Sequence, residues 1–167
     1  MAVFMFTQRL WRRLGAPKRL EALSEPSENR LGAFCLTLVK TDLGELVLCM
    51  SQTTRLCVLV PVRPIEVLLP SLLVAWVDEL SLQGIPEALI QNELFALEGA
   101  RFGTNADKSL LGAATWLGTH LDHYAKKGRE NGEGISFVQA RLNVTPHVNE
   151  SPPYPDVAVK KVFGMLH

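Results

Sequence analysis

Between residues 33 and 62 the chain carries three successive apolar runs, 33–40, 45–51 and 55–62, and no other feature limits its fold so strongly. Such runs, bounded by turn-forming residues, pair as strands because branched and aromatic side chains fit a pleated surface. Thr41-Asp42-Leu43-Gly44 separates the first two. Its Asp and Gly suit a tight turn with one positive φ, which predicts a hairpin. Gln52-Thr53-Thr54 leads into the third run, so the simplest continuation is a three-strand antiparallel meander, with Pro61 ending the pairing or marking an edge.

Helical periodicity dominates the remainder. Residues 3–6 form a short apolar run that reads as a buried strand, and Thr7 is placed to cap a helix over 8–14 in which Leu10 and Leu14 share a face. Gly15, Ala16 and Pro17 stop that helix, and 24–30 reads as an exposed loop. From 64 to 82, Ile65, Leu68, Leu72, Trp76 and Leu80 recur at helical spacing, with Pro70 beginning the main helix or kinking it. Gly84 ends this segment and Pro86 opens another helix. A third, beginning near Thr104 or Asn105 and ending near Lys127, turns Leu110, Leu111, Ala114, Leu117 and Leu121 inward. Residues 135–144 read as a late strand, 145–155 as a Pro-rich irregular segment, and 157–166 as one last short element. The predicted fold is α+β: a small antiparallel sheet made of the N-terminal strand, the meander and the late strand, packed against three to four helices. A length of 167 residues fits a single domain over 1–167.

At 47% hydrophobic and 20% charged residues, the chain has enough apolar surface to fold without disulfides or a structural metal. Cys35, Cys49 and Cys57 are an odd set, each inside an apolar run, which makes them core residues of a protein in a reducing compartment. The N-terminus lacks the charge order and cleavage pattern of a signal peptide. Arg63, Pro64, Glu66 and Pro70 break the most apolar region, so no membrane span is expected and the location is read as cytoplasmic. A net charge of zero argues against binding nucleic acid by bulk electrostatics. The charge is nevertheless segregated, with Arg9, Arg12, Arg13, Lys18 and Arg19 in an acid-free start and only Arg55 and Arg63 between the many carboxylates of 42–98.

Four groups of residues invite a functional reading beside a plainer one. Thr104, Asn105, Lys108 and Ser109 surround a helix start whose free N–H groups and side-chain donors suit a phosphate or carboxylate; the plainer reading is capping by Thr104 or Asn105, with Asp107 in the first turn. The spacing of a phosphate-binding P-loop is absent. Arg9, Arg12 and Arg13 with Trp11 could grip a nucleic-acid backbone or a partner, although Trp11 is more simply a core residue and the arginines a solvated face. His120 and His123 lie three apart near a helix end, but without a His-Glu-x-x-His arrangement or clustered cysteines they imply no metal, and no cofactor is expected. No nucleophile signature is present, so catalytic residues stay unassigned and the chain is not read as an enzyme or as a non-enzyme.

The stretch 6–14, Phe-Thr-Gln-Arg-Leu-Trp-Arg-Arg-Leu, the entry Leu31-Gly32-Ala33-Phe34 with Thr53-Thr54 before Leu56, and 104–112, Thr-Asn-Ala-Asp-Lys-Ser-Leu-Leu-Gly, form a recognisable set. They resemble, in turn, the short strand and basic helix, the strand entry and the helix start of a bacterial family, domain of unknown function 6933. The resemblance covers roughly residues 1–127. Ala33 stands where the family often has Asp and Lys108 where it often has Arg, which weakens any role needing a carboxylate or a guanidinium fork there. It implies an origin in bacteria or their mobile elements and carries no mechanism. Segregated charge and the lack of a catalytic signature favour a protein-interaction or regulatory module, antitoxin-like or accessory to a mobile element, that binds a protein partner or itself. The alternatives are an enzyme or small-ligand binder at 104–112, and nucleic-acid binding through the basic helix, which zero net charge disfavours.

Overall fold

In the computed structural model, which describes residues 2–16, 19–23, 26–95, 97, 99–104 and 107–167, strands β1 (Val3–Phe6), β2 (Phe34–Thr41), β3 (Gly44–Ser51), β4 (Cys57–Pro61) and β5 (Arg101–Thr104) form one sheet. The expectations attached to Pro17, Lys18, Ser24 and Asn105 fall outside the described residues. Strand order is β4-β3-β2-β1-β5. The meander is antiparallel, as its short turns require, and Gly44 takes the positive φ expected of the hairpin. At its tip, the Leu43 amide donates to Thr41 Oγ1 at 3.0 Å, and that hydroxyl donates to the Gly44 carbonyl at 3.0 Å.

β1 corrects the wholly antiparallel expectation, because it runs parallel to both β2 and β5. The long segments between these strands carry the chain back around the sheet, which is what parallel pairing needs. β5 is a strand that short length hid from the sequence. Gly103 within it lies so close to the backbone of Glu21 and the side chain of Leu23 that a Cβ there would come within 2.8 Å of the Glu21 carbonyl and 2.4 Å of Leu23 Cγ.

The helices are α1 (Gln8–Arg13), α2 (Ile65–Leu82), α3 (Glu87–Phe95), α4 (Lys108–Glu130), α5 (Ile135–Asn143) and α6 (Pro155–Val162). Thr7 caps α1 as predicted, accepting from the Leu10 amide. Pro70 lies inside α2 and does not open it. Both faces of the sheet are apolar, and each is covered. Phe4, Phe34, Leu36, Val47, Cys49 and Val58 pack against α2, α3 and α6, with Trp76 fully enclosed. Met5, Cys35, Leu48, Met50 and Leu59 on the opposite face pack against α4 and α5. This double coverage explains why the strands read as continuous apolar runs. Each fully buried Leu or Val contributes about 1.5 to 3 kcal/mol on that basis.

The late strand predicted over 135–144 is instead α5. Val138 and Leu142, four apart, point at the sheet, while Ala140 and Val144, which an alternating strand would bury beside them, face solvent. The predicted inward position of Leu111 is also corrected, since it is exposed on α4. The final element is α6, opened by Pro155. Between α5 and α6, residues 144–154 have no helix or strand and carry the chain from one layer to the other.

Candidate functional site

Arg55 occupies the turn joining β3 to β4 and is the one non-glycine among the described residues with a positive φ, 60°. A left-handed backbone costs a side-chain-bearing residue about 1 to 2 kcal/mol, so neighbouring bonds must hold it. They do. The Ser51 hydroxyl donates to the Leu31 carbonyl at 2.6 Å and accepts from the Thr54 amide and hydroxyl at 3.1 and 3.0 Å. The Ser51 amide donates to the Leu56 carbonyl, and the Arg55 amide to the Ser51 carbonyl.

The Arg55 side chain is 8% exposed and reaches the 144–154 connection, where Nε and Nη2 donate to one oxygen, Oε1 of Glu150, at 2.9 and 2.7 Å. Nη1 has no partner. His147, three residues before Glu150, is itself buried, with its amide donating to the Pro153 carbonyl at 2.7 Å. Its imidazole lies edge-on to Trp116 of α4 with centroids 5.1 Å apart, and the other neighbour of that indole is His120 at 4.2 Å. Burial above all, with the charge of Arg55 second, pushes the His147 imidazole down to about 4, against the opposing pull of Glu150. The ring is neutral near pH 7, and its Nε2 is also buried without a partner.

Two cavities flank the Arg55–Glu150 pair. One, of about 380 Å³, lies between the first half of α4 and the 147–150 turn and is lined by Lys108, Ser109, Trp116, His147, Asn149 and Glu150 among others. The second, of about 370 Å³, is lined by Thr53, Thr54, Arg55, Glu150, Ser151 and Lys161 among others. Glu150 belongs to both walls and Arg55 to the second alone, so Glu150 stands between the two cavities.

The helix-start residues divide. Lys108 and Ser109 line the first cavity. Thr104 belongs to β5, where it pairs with Phe6 and its amide donates to the Glu21 carbonyl. Asn105 lies outside the described residues. The cap of α4 is Asp107, not Thr104, and its carboxylate accepts from the Ser109 and Leu110 amides at 2.9 and 3.1 Å and from Gln52 Nε2 at 3.1 Å. The Leu110 amide above all, helped by Gln52, the Ser109 amide and the charge of Arg55 and opposed by burial, holds Asp107 below the usual carboxylate range. Amides that an external anion would use are thus already engaged.

The residues of the basic helix differ in their surroundings. Arg13 makes a two-nitrogen pair with Glu45 at 2.9 and 2.7 Å, and Trp11 is half-buried edge-on to Phe6 at 5.0 Å; Arg9 and Arg12 are exposed. His123 faces Tyr124 and His120 faces Trp116. Among the described residues, no three His, Cys, Asp or Glu side chains are grouped to hold a metal ion, and no helix is long and apolar enough to cross a membrane. All three cysteines are buried, and burial raises the Cys49 and Cys57 thiols above their ordinary value, so neither is set up as a nucleophile.

Arg55, Trp116, His147 and Glu150 are site residues to which the sequence alone assigns no role. Trp116 carried a signal: it stands off the inward stripe of α4, where a large aromatic must find another surface.

The family model of a domain of unknown function (DUF6933) matches residues 3–157, extending the resemblance through α5 and the connection that carries His147 and Glu150. No curated protein and no solved structure matches the chain.

Proposed function

The chain belongs to the DUF6933 family, and from that premise we propose that it binds a small polar ligand in the cavity between α4 and residues 147–150. One observation carries this reading. Among the described residues, only two buried side-chain polar atoms lack a hydrogen-bond partner: Nε2 of His147, which lines this cavity, and Nη1 of Arg55, which lines the neighbouring one across Glu150. Buried polar groups are nearly always satisfied, and a group left without a partner costs about 1 to 3 kcal/mol, so two in one cluster favour a ligand that completes them. Trp116 offers a π face for a planar ring, Lys108 a positive charge at the mouth, and His147 a neutral imidazole able to donate or accept.

The test is a titration of the ¹⁵N-labelled protein with small carboxylates, phosphate esters and planar heterocycles, followed by NMR. Saturable shifts at the Trp116 indole, the His147 ring and the amides of 107–116 and 147–150 are expected. Their absence across the whole set would sink the reading.

A second reading, a protein-interaction or regulatory module, is favoured by an apolar groove of about 300 Å³ beside the edge strand β5, lined by Leu69, Leu73, Leu97 and Phe102 among others. Exposed Val74 and Leu82 add apolar surface on α2. Association that rises with concentration in light scattering and disappears in Leu73→Glu is its expected signature, and a strict monomer that retains no partner would remove it. Nucleic-acid binding stands behind both, since Arg13 is engaged by Glu45 and Trp11 by Phe6. Bacterial origin and cytoplasmic location belong to the same proposal, resting on the resemblance and on three buried thiols.

A further inference from the structure

Arg55 is the most enclosed cation of the paired cavities, and its bonding is lopsided. A guanidinium carries five N–H donors in a planar fork that matches the two oxygens of a carboxylate or phosphate. Here Nε and Nη2 converge on a single Glu150 oxygen, and the Nη1 corner is left without an acceptor in a protein interior. Arg–carboxylate pairs are frequently bidentate, with each carboxylate oxygen taking its own N–H.

The two partners are also held unequally. Arg55 sits on a left-handed turn fixed by the Ser51 and Thr54 hydroxyls. Glu150 comes from a connection without helix or strand, its amide bonded to the nearby His147 carbonyl at 3.1 Å, and its side chain is 33% exposed. The Arg55 turn is the more heavily bonded of the two, while the Glu150 side chain already reaches solvent. Lys161, Thr53 and Ser151 line the same cavity as Arg55, adding a second cation to it. Asp107 is the other carboxylate near Arg55, but its oxygens are committed to the α4 cap and Gln52.

We propose that Arg55 is the receptor for a ligand oxyanion, a carboxylate or phosphoryl group, and that the Glu150 carboxylate is a built-in stand-in which the ligand displaces. An entering oxyanion takes Nη2 from Glu150 and supplies the missing acceptor to Nη1. Withdrawal of Glu150 opens the partition, so that one ligand can span both cavities with its body against Trp116. The inference rests on the ligand-binding reading above and names the group that ligand must carry.

The experiment compares the full-length protein with Glu150→Gln and Arg55→Gln, titrating sodium acetate and inorganic phosphate at constant ionic strength and reading NMR shifts beside melting temperature. Removing the competing carboxylate is expected to tighten binding of at least one of the two anions about tenfold or more in Glu150→Gln. Arg55→Gln is expected to lose that binding. Should Arg55→Gln fail to fold, Arg55→Lys replaces it and is expected to bind more weakly than wild type, since an ammonium lacks the fork. Acetate alone responding assigns a carboxylate ligand, and phosphate alone a phosphoryl group. The proposal is overturned if Glu150→Gln binds neither anion more tightly than wild type, or if Arg55→Gln keeps the affinity of wild type. If neither anion binds while a planar heterocycle such as indole still shifts the Trp116 signal, the oxyanion receptor falls and the cavity reading stands; silence from all three probes removes both.

Discussion

At the scale of single residues, two buried side chains are held by different means. Glu93 stays buried because its carboxylate accepts from Asn29 Nδ2, the Leu31 amide and the Arg30 amide at 3.0, 2.9 and 3.2 Å, pinning the segment before β2 to α3. Glu93→Ala should cost about 3 kcal/mol in urea unfolding, because it strands those donors, whereas Glu93→Gln keeps one acceptor and should cost about 1 kcal/mol. Equal losses would mean that the side chain acts by packing alone. His147 is buried as the neutral ring, its pKa pushed down to about 4. The unfolded chain takes up a proton there from about pH 6.5 downward, whereas the folded chain resists until about pH 4. Unfolded protein therefore binds more protons in that window, and stability linked to His147 is complete above pH 6.5 and drains away as pH falls toward 4. The melting temperature of wild type should fall more steeply across that interval than that of His147→Gln. Parallel curves would show that the imidazole is not shielded. Neither arrangement was legible in the sequence, because a glutamate or histidine in a linear string does not reveal which distant amides or arginines will surround it.

At the scale of elements, the sequence was read correctly wherever one period ran unopposed. The meander, α2 and most of α4 emerged from turn residues and apolar spacing alone. α5 was misread because Val138, Ala140, Leu142 and Val144 alternate as a strand does, while Val138 and Leu142 equally satisfy a helix. What decides is a polar pair on the same helical face. Asn143 accepts from the Cys57 amide at 2.8 Å and donates to its carbonyl at 2.9 Å, and Gln139 accepts from the Leu59 amide at 2.8 Å and donates to the buried Glu79. These side chains do for β4 what another strand would do, closing an edge that could otherwise recruit a second chain. Asn143→Ala should therefore cost about 2 kcal/mol and promote aggregation on warming. Asn143→Asp sets an acceptor against the Cys57 carbonyl and should be at least as damaging. If Asn143→Asp behaved as wild type, the edge bond would not matter to stability.

At the scale of the whole molecule, the candidate site stands where the chain changes layers. α5 packs with α4 on one face of the sheet, α6 packs with α2 on the other, and residues 144–154 pass between them beside the β3–β4 turn. Nothing in the sequence announces this convergence, since Arg55 and Glu150 are 95 positions apart and no local pattern links them. Lys108 and Ser109 were singled out as a helix start and reach the cavity only because α4 runs past the same crossing. Among the described residues, the ties of the crossing include the Arg55–Glu150 pair, the Trp116–His147 contact, the Tyr124–Thr145 hydroxyl contact at 3.4 Å, Arg30 over the Phe163 ring, and apolar docking of Val159 and Phe163. It should then open as a unit, at lower cost than the sheet. Arg55→Gln tests this with the backbone penalty unchanged, because Gln meets the same left-handed φ as Arg. Losing a partly exposed pair should lower the opening energy of the crossing by about 2 kcal/mol, less than a fully buried pair would lose, which is roughly thirtyfold in hydrogen exchange at residues 145–163. Amides of β2, β3 and the middle of α4 should keep their protection. If exchange instead rose evenly across all of them, the ion pair would be supporting the global fold, and the crossing would have no separate opening through which a ligand could displace Glu150.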